Sequence, residues 1–150
     1  MASGKITTSR IAAVLLGLTG LGTLLFWISF GLGNPQESFL AQQCAAWYPW
    51  ERSFILPDSW MILACLVGAV GLFRGRPWGR HWAAMAGSAM LFLALMDILF
   101  FLQNGLYRHI YPEVLTEALI HAWLLGFSVF LVVYTSKMAS APGNPATAQG

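Results

Sequence analysis

Charge is what this sequence has least of. Only 9% of its 150 residues are charged, eight basic and six acidic, while 57% are hydrophobic and the mean hydropathy is +0.64. A soluble domain carries about 25% charged residues and about 45–50% apolar ones, so these few charges cannot cover the outside of a soluble fold. A disordered chain is excluded from the other side, because it would be rich in charge and poor in hydrophobics. A net charge of +2 without a basic run gives no nucleic-acid footprint.

Cysteine and histidine are scarce too. Cys44 and Cys65 are too far apart to form a CxxC pair, which removes a disulfide framework, a zinc knuckle and quinone-coupled disulfide chemistry. Of three histidines only His121 falls inside a long apolar stretch, with His81 at the edge of another. The paired histidines of a b561-type diheme cytochrome are therefore absent, and no cofactor is predicted.

What the sequence does have is four long apolar stretches, about residues 11–33, 54–73, 82–102 and 114–136. Each reaches the roughly 20 residues needed to cross a hydrocarbon core about 30 Å thick. The first follows Lys5 and Arg10 as a secretory signal would. It is too long for a signal h-region, and its end, Phe-Trp-Ile-Ser-Phe-Gly-Leu-Gly, has no Ala-x-Ala-like site. It reads as a retained span.

The basic residues are unevenly placed. Lys5, Arg10, Arg74, Arg76, Arg80 and Lys137 fall on one side of the implied membrane with no acidic residue among them. Arg52 and Arg108 fall on the other side, with Glu37, Glu51 and Glu113. Lys and Arg collect in cytoplasmic segments, so both termini are expected in the cytoplasm, in a plasma or bacterial inner membrane.

The turn Arg74–Arg80 contains Gly75, Pro77 and Gly79, which makes it tight and its flanking spans antiparallel neighbours. Arg74, Arg76 and Arg80 are candidates for holding anionic lipid headgroups, although the positive-inside rule alone accounts for them. The outer loop 34–53 holds Phe39, Trp47, Tyr48 and Trp50, aromatics expected at headgroup level. A short amphipathic helix is expected to start at Pro35. The fold expected is thus an all-α membrane protein, an antiparallel bundle of four transmembrane helices over residues 1–137. A disordered cytoplasmic tail is expected over 138–150.

Small and polar residues mark the inward faces of membrane helices. Gly17, Gly20 and Thr23 do so in the first span, Gly68 and Gly71 in the second, without forming GxxxG. The third carries a stripe of Ala83, Gly87, Met90, Ala94, Asp97, Phe101 and Asn104, and the fourth carries Glu117, His121, Leu124, Ser128 and Thr135. At a rise of 1.5 Å per residue, Asp97 and His121 each lie about 10 Å below the outer surface. Glu117 is one turn higher, and Asp58 is near the outer end of the second span. The inner halves of the spans hold no acidic, basic or histidine side chain.

Charges inside a bilayer cost about 2.5–3.5 kcal/mol each on insertion scales and usually mark function. Asp58, Asp97, Glu117 and His121 are therefore candidates for a ligand or proton site. Glu117 and His121, four apart, with Asp97 could also ligate a metal, or serve a membrane-embedded enzyme as acid–base groups. The expected function is an outward-facing polar pocket for a small or lipid-like ligand, or an accessory subunit of a membrane complex. The alternatives are the enzyme, with no catalytic residue assigned, and a purely structural subunit. The expected partners are the lipid bilayer, and further subunits or a second copy of the chain.

Overall fold

A computed structural model describes residues 2–139, with side chains over 7–138. Among them there is no strand. Six helices follow in order: α1 (Ala2–Leu32), α2 (Phe39–Gln43), α3 (Trp47–Ser53), α4 (Ile55–Phe73), α5 (Pro77–Gln103) and α6 (Pro112–Ala139). Turns of 3-10 helix occupy Pro35–Glu37 and Leu106–Arg108. Four helices are long and apolar enough to cross a membrane: Thr7–Leu32 within α1, then α4, α5 and Pro112–Met138 within α6. The expected tail lies outside the described residues from 140 on, and α6 runs through its first two positions.

α5 and α6 begin earlier than the apolar runs suggest, because Pro77 and Pro112 open them. Proline's fixed φ suits the first helical turn, where its missing N–H has no partner to lose. The turn after α4 is closed by Gly75 at φ +64, with Gly75 N–H donating to Leu72 O at 3.1 Å and Arg76 N–H to Gly71 O at 2.8 Å. That is a Schellman cap, and it needs a left-handed residue where only glycine is free of strain. Gly105, at φ +65, follows α5 in the same left-handed conformation, and its N–H donates to Leu102 O at 3.2 Å.

The single helix expected from Pro35 is instead broken in two. Ser38 is extended (φ −62°, ψ 156°), and its Oγ accepts from Ala41 N–H at 3.1 Å. Its hydroxyl caps a fresh helix more favourably than it continues an old one.

α1 packs on α4, α4 on α5 and α5 on α6. Glycine sets how closely they approach. A Cβ on Gly20 would come within 3.0 Å of the Cys65 Cβ, and one on Gly68 within 3.0 Å of Ala83 N. A Cβ on Gly87 would come within 3.0 Å of the Leu131 Cβ, and Gly71 and Gly79 meet backbone to backbone. The stripes read from the sequence face this core: Ala83, Gly87, Met90, Ala94 and Phe101 on α5 are buried, as are His121, Leu124, Ser128 and Thr135 on α6. Asn104, at the end of the α5 stripe, is exposed.

A second cluster, built on Leu40, Trp47, Phe100, Phe101, Leu106 and Val114, joins α2 and α3 to the ends of α5 and α6 remote from the Arg74–Arg80 turn. Phe39 stacks on Tyr111 at 4.1 Å between centroids, and Glu113 Oε2 accepts from Leu40 N–H at 3.3 Å. The loop therefore folds over the bundle end. Trp47, expected at headgroup level, is buried at 4% exposure, and Trp50 stacks on Phe100 at 4.6 Å. The reason is area: a large ring gains more by covering the apolar helix ends than by lying half wet.

Candidate functional site

A cavity of about 390 Å³ lies beneath α3 and among the four long helices. Its wall includes Leu18, Phe26, Met61, Leu93, Ile120, Trp123 and Leu124, and four carboxyl groups line it: Glu51, Asp58, Asp97 and Glu117. Among the described residues no lysine or arginine lines it. Asp58, Asp97 and Glu117 were sequence candidates, and the fold brings them to one space.

Each reaches it from a different element. Asp58 sits in the first turn of α4, where a carboxylate opposes the positive end of the helix dipole. Its Oδ2 accepts from Trp27 Nε1 of α1 at 2.8 Å. Asp97, on the buried stripe of α5, accepts from Trp50 Nε1 of α3 at 3.0 Å through Oδ1. Glu117 lies one turn before His121 on α6. Two tryptophans thus hold two of the carboxyl groups in place, each donating its only polar hydrogen.

His121 is buried behind this layer. Its Nε2 lies 4.0 Å from Asp97 Oδ2 and 3.9 Å from Glu117 Oε2, distances that allow attraction but no direct hydrogen bond. Nδ1 is 2.8 Å from the Tyr107 hydroxyl, and Phe101 meets the ring edge-on at 4.9 Å between centroids. In the tautomer with its proton on Nε2, the imidazole accepts from Tyr107 and turns its own N–H towards the carboxyl groups. Burial, then the charges of Asp97 and Glu117, push the Tyr107 hydroxyl up to about 12. The phenol is therefore a neutral donor at neutral pH.

Among the described residues no three His, Cys, Asp or Glu side chains converge so as to hold a metal ion. Asp97, Glu117 and His121 share the layer without forming such a group. Of the headgroup candidates, Arg74 and Arg76 are exposed in the turn, while Arg80 is half-buried and donates from Nη1 to Met138 O at 3.1 Å.

Glu51 is the residue that sequence reasoning missed. It lay in a loop expected outside the bilayer, but α3 turns it inwards to 7% exposure. No described residue donates a hydrogen bond to its carboxyl group. Burial, then the charges of Glu117, Asp97 and Asp58, hold its pKa well above the usual carboxylate range. The available signal was its setting in Trp47-Tyr-Pro-Trp-Glu51, where two rings at i−4 and i−1 mark one apolar face.

The cavity is reached from the side. α1 and α6 do not pack along their backbones; they are joined by Trp123 Nε1 donating to Thr19 Oγ1 at 3.1 Å. Leu18, Ile120 and Trp123 line the cavity and yet are 61%, 37% and 44% exposed, so they form its rim. The arrangement is a partly covered apolar chamber with an acidic upper wall, opening between α1 and α6. No protein-family model, no curated protein and no solved structure matches this chain.

Proposed function

We propose that this protein is a four-span integral membrane protein that binds a small ligand with an apolar body in the cavity beneath α3. In this reading the four long helices form an antiparallel bundle with both termini in the cytoplasm of a plasma or bacterial inner membrane. The basic turn then faces inwards, and the carboxyl layer lies in the outer half. The rim between α1 and α6 faces lipid, so a ligand dissolved in the bilayer enters without crossing the α3 cap.

One observation carries the reading. Four carboxyl groups line a space of about 390 Å³, within the roughly 300–1,000 Å³ of small-molecule pockets. A purely structural polar layer would close on itself, since membrane hydrogen bonds average only about 0.6 kcal/mol and an open chamber forfeits packing.

Two experiments test it. A reporter active only outside the cytoplasm should give signal when fused at Gly105 and none at Gly75 or Gly150; the reverse pattern refutes the orientation. Native mass spectrometry of the protein in lipid nanodiscs should show a retained small molecule that is lost in Gly22→Leu. That leucine would enter the cavity from a position where an added Cβ meets nothing within 4 Å. Identical spectra for the two proteins, with no retained molecule, refute binding.

A second reading is a membrane-embedded acid–base enzyme, favoured by the Tyr107–His121 contact aimed at Asp97 and Glu117. An imidazole flanked by a phenol and two carboxyl groups can pass a proton. Turnover of the retained molecule, lost in His121→Gln with retention unchanged, would separate it from binding alone.

A further inference from the structure

We infer that the ligand of this cavity is an organic cation, an ammonium group on an apolar body, seated with its charge among Glu51, Asp58, Asp97 and Glu117. This rests on the binding reading above and names the class of ligand. Four acidic side chains on four helices contribute to one wall, and no lysine or arginine among the described residues lines the space to balance them. Two are partly satisfied, Asp58 by Trp27 and Asp97 by Trp50. Glu51 is not. It is more than nine-tenths buried, it borders the cavity, and no described residue donates to it. Its carboxyl group borders the cavity with no partner from the described residues, so it is open to a positive charge brought from outside the chain.

The rest of the chamber decides between cations. A metal ion needs several oxygen, nitrogen or sulfur ligands converging on one point, and no three such residues converge among those described. A proton needs no chamber. The remaining wall, with Leu18, Phe26, Ile120 and Trp123, is apolar and aromatic. It suits a hydrocarbon body, and Phe26 or Trp123 can present a ring face to an ammonium group. The lateral rim matches a ligand that partitions into lipid.

The test uses purified full-length protein in a non-ionic detergent, with melting temperature as the readout. Three probes share one body: 4-phenylbutylamine, the permanently charged 4-phenylbutyltrimethylammonium, and neutral 4-phenylbutanol. Both cations should raise the melting temperature in a saturable way, and the alcohol should not. Glu51→Gln should weaken the apparent affinity for both cations by about tenfold or more, and Gly22→Leu should abolish the shift. Should Glu51→Gln not fold, Asp97→Asn replaces it, because the amide oxygen still accepts from Trp50.

An alcohol as effective as the amine would overturn the cation while leaving the binding reading intact. No shift with any probe, together with no molecule retained in nanodiscs, would overturn both. A cation shift undiminished in Glu51→Gln and Gly22→Leu would place the charge elsewhere and refute the inference.

Discussion

Gly79→Ala is the sharpest test of how the long helices are held together. A Cβ at position 79 would meet the Gly71 carbonyl carbon and the Leu72 nitrogen at distances that real contacts do not show. Both opposing atoms are backbone, so no rotamer change relieves the clash and α4 must move away from α5. Restoring the roughly 3.5–4.0 Å optimum between heavy atoms requires a separation of about 1 Å. Overpacking of this kind costs about 1–3 kcal/mol, and a clash with backbone belongs at the upper end. Alanine recovers up to about 1 kcal/mol of helix propensity over glycine, leaving a net loss of about 2 kcal/mol. Gly126→Ala supplies the contrast, since its Cβ would meet nothing within 4 Å, and only the propensity gain applies. Unfolding of the purified proteins by SDS titration in mixed micelles, followed by tryptophan fluorescence, measures both. A Gly79→Ala protein as stable as wild type would refute the close approach of α4 and α5 and the packing argued from it.

Two further predictions concern the carboxyl layer. Glu51 binds its proton more tightly in the folded protein than at its ordinary value of 4.5, so the folded state holds more protons above pH 4.5. Stability should then fall as pH rises from 4.5 through the raised value, with a limiting slope for this one group of about 1.4 kcal/mol per pH unit. The slope should flatten in Glu51→Gln, and parallel stability–pH curves would contradict the buried carboxyl. In double-mutant cycles, Tyr107→Phe with His121→Leu should couple by about 0.5–1.5 kcal/mol. Asp97→Asn with the same histidine change should couple less, since the first pair is 2.8 Å apart and the second 4.0 Å. The opposite order would mean that His121 is held by the carboxylate and not by the phenol.

Much of this was legible in the sequence because helical periodicity carries it. The stripe from Ala83 through Asp97 to Phe101 keeps one face by steps of three and four, and that face is the one the other helices cover. The same reasoning placed Asp97, Glu117 and Asp58 at comparable depth, and they do share a cavity. It could not see across connections. Matched depth does bring Asp97 and His121 to 4.0 Å, but hydrogen bonds depend on tenths of an ångström, and each residue has a closer partner in Trp50 or Tyr107. Both partners come from outside the four long helices, in α3 and the Leu106–Arg108 turn, segments too short for more than a turn or two of periodic signal. Glu51 was missed for that reason. Within a seven-residue helix two tryptophans are the whole signal for an apolar face, and only the fold of the loop turns that face, with its carboxyl, inwards.

The placement of the glycines gives the assembly a pivot. Gly68, Gly71, Gly79 and Gly87 draw α4, α5 and α6 together towards the Arg74–Arg80 end. Two hydrogen bonds fasten the outlying helices there as well, Ser9 Oγ to Leu72 O at 3.3 Å and Arg80 Nη1 to Met138 O at 3.1 Å. Towards the far end the cavity and its carboxyl groups lie among the same helices. Thr19 lies about 15 Å along α1 from the Ser9 pin, so a tilt of about 4° about that pin shifts Thr19 by roughly 1 Å. That is enough to lengthen the 3.1 Å Trp123 latch past hydrogen-bonding range. Gly20, next in sequence to Thr19, sits against Cys65 and Leu66 of α4, so the same tilt is felt along the α1–α4 seam and the width of the mouth is coupled to the packing of the core.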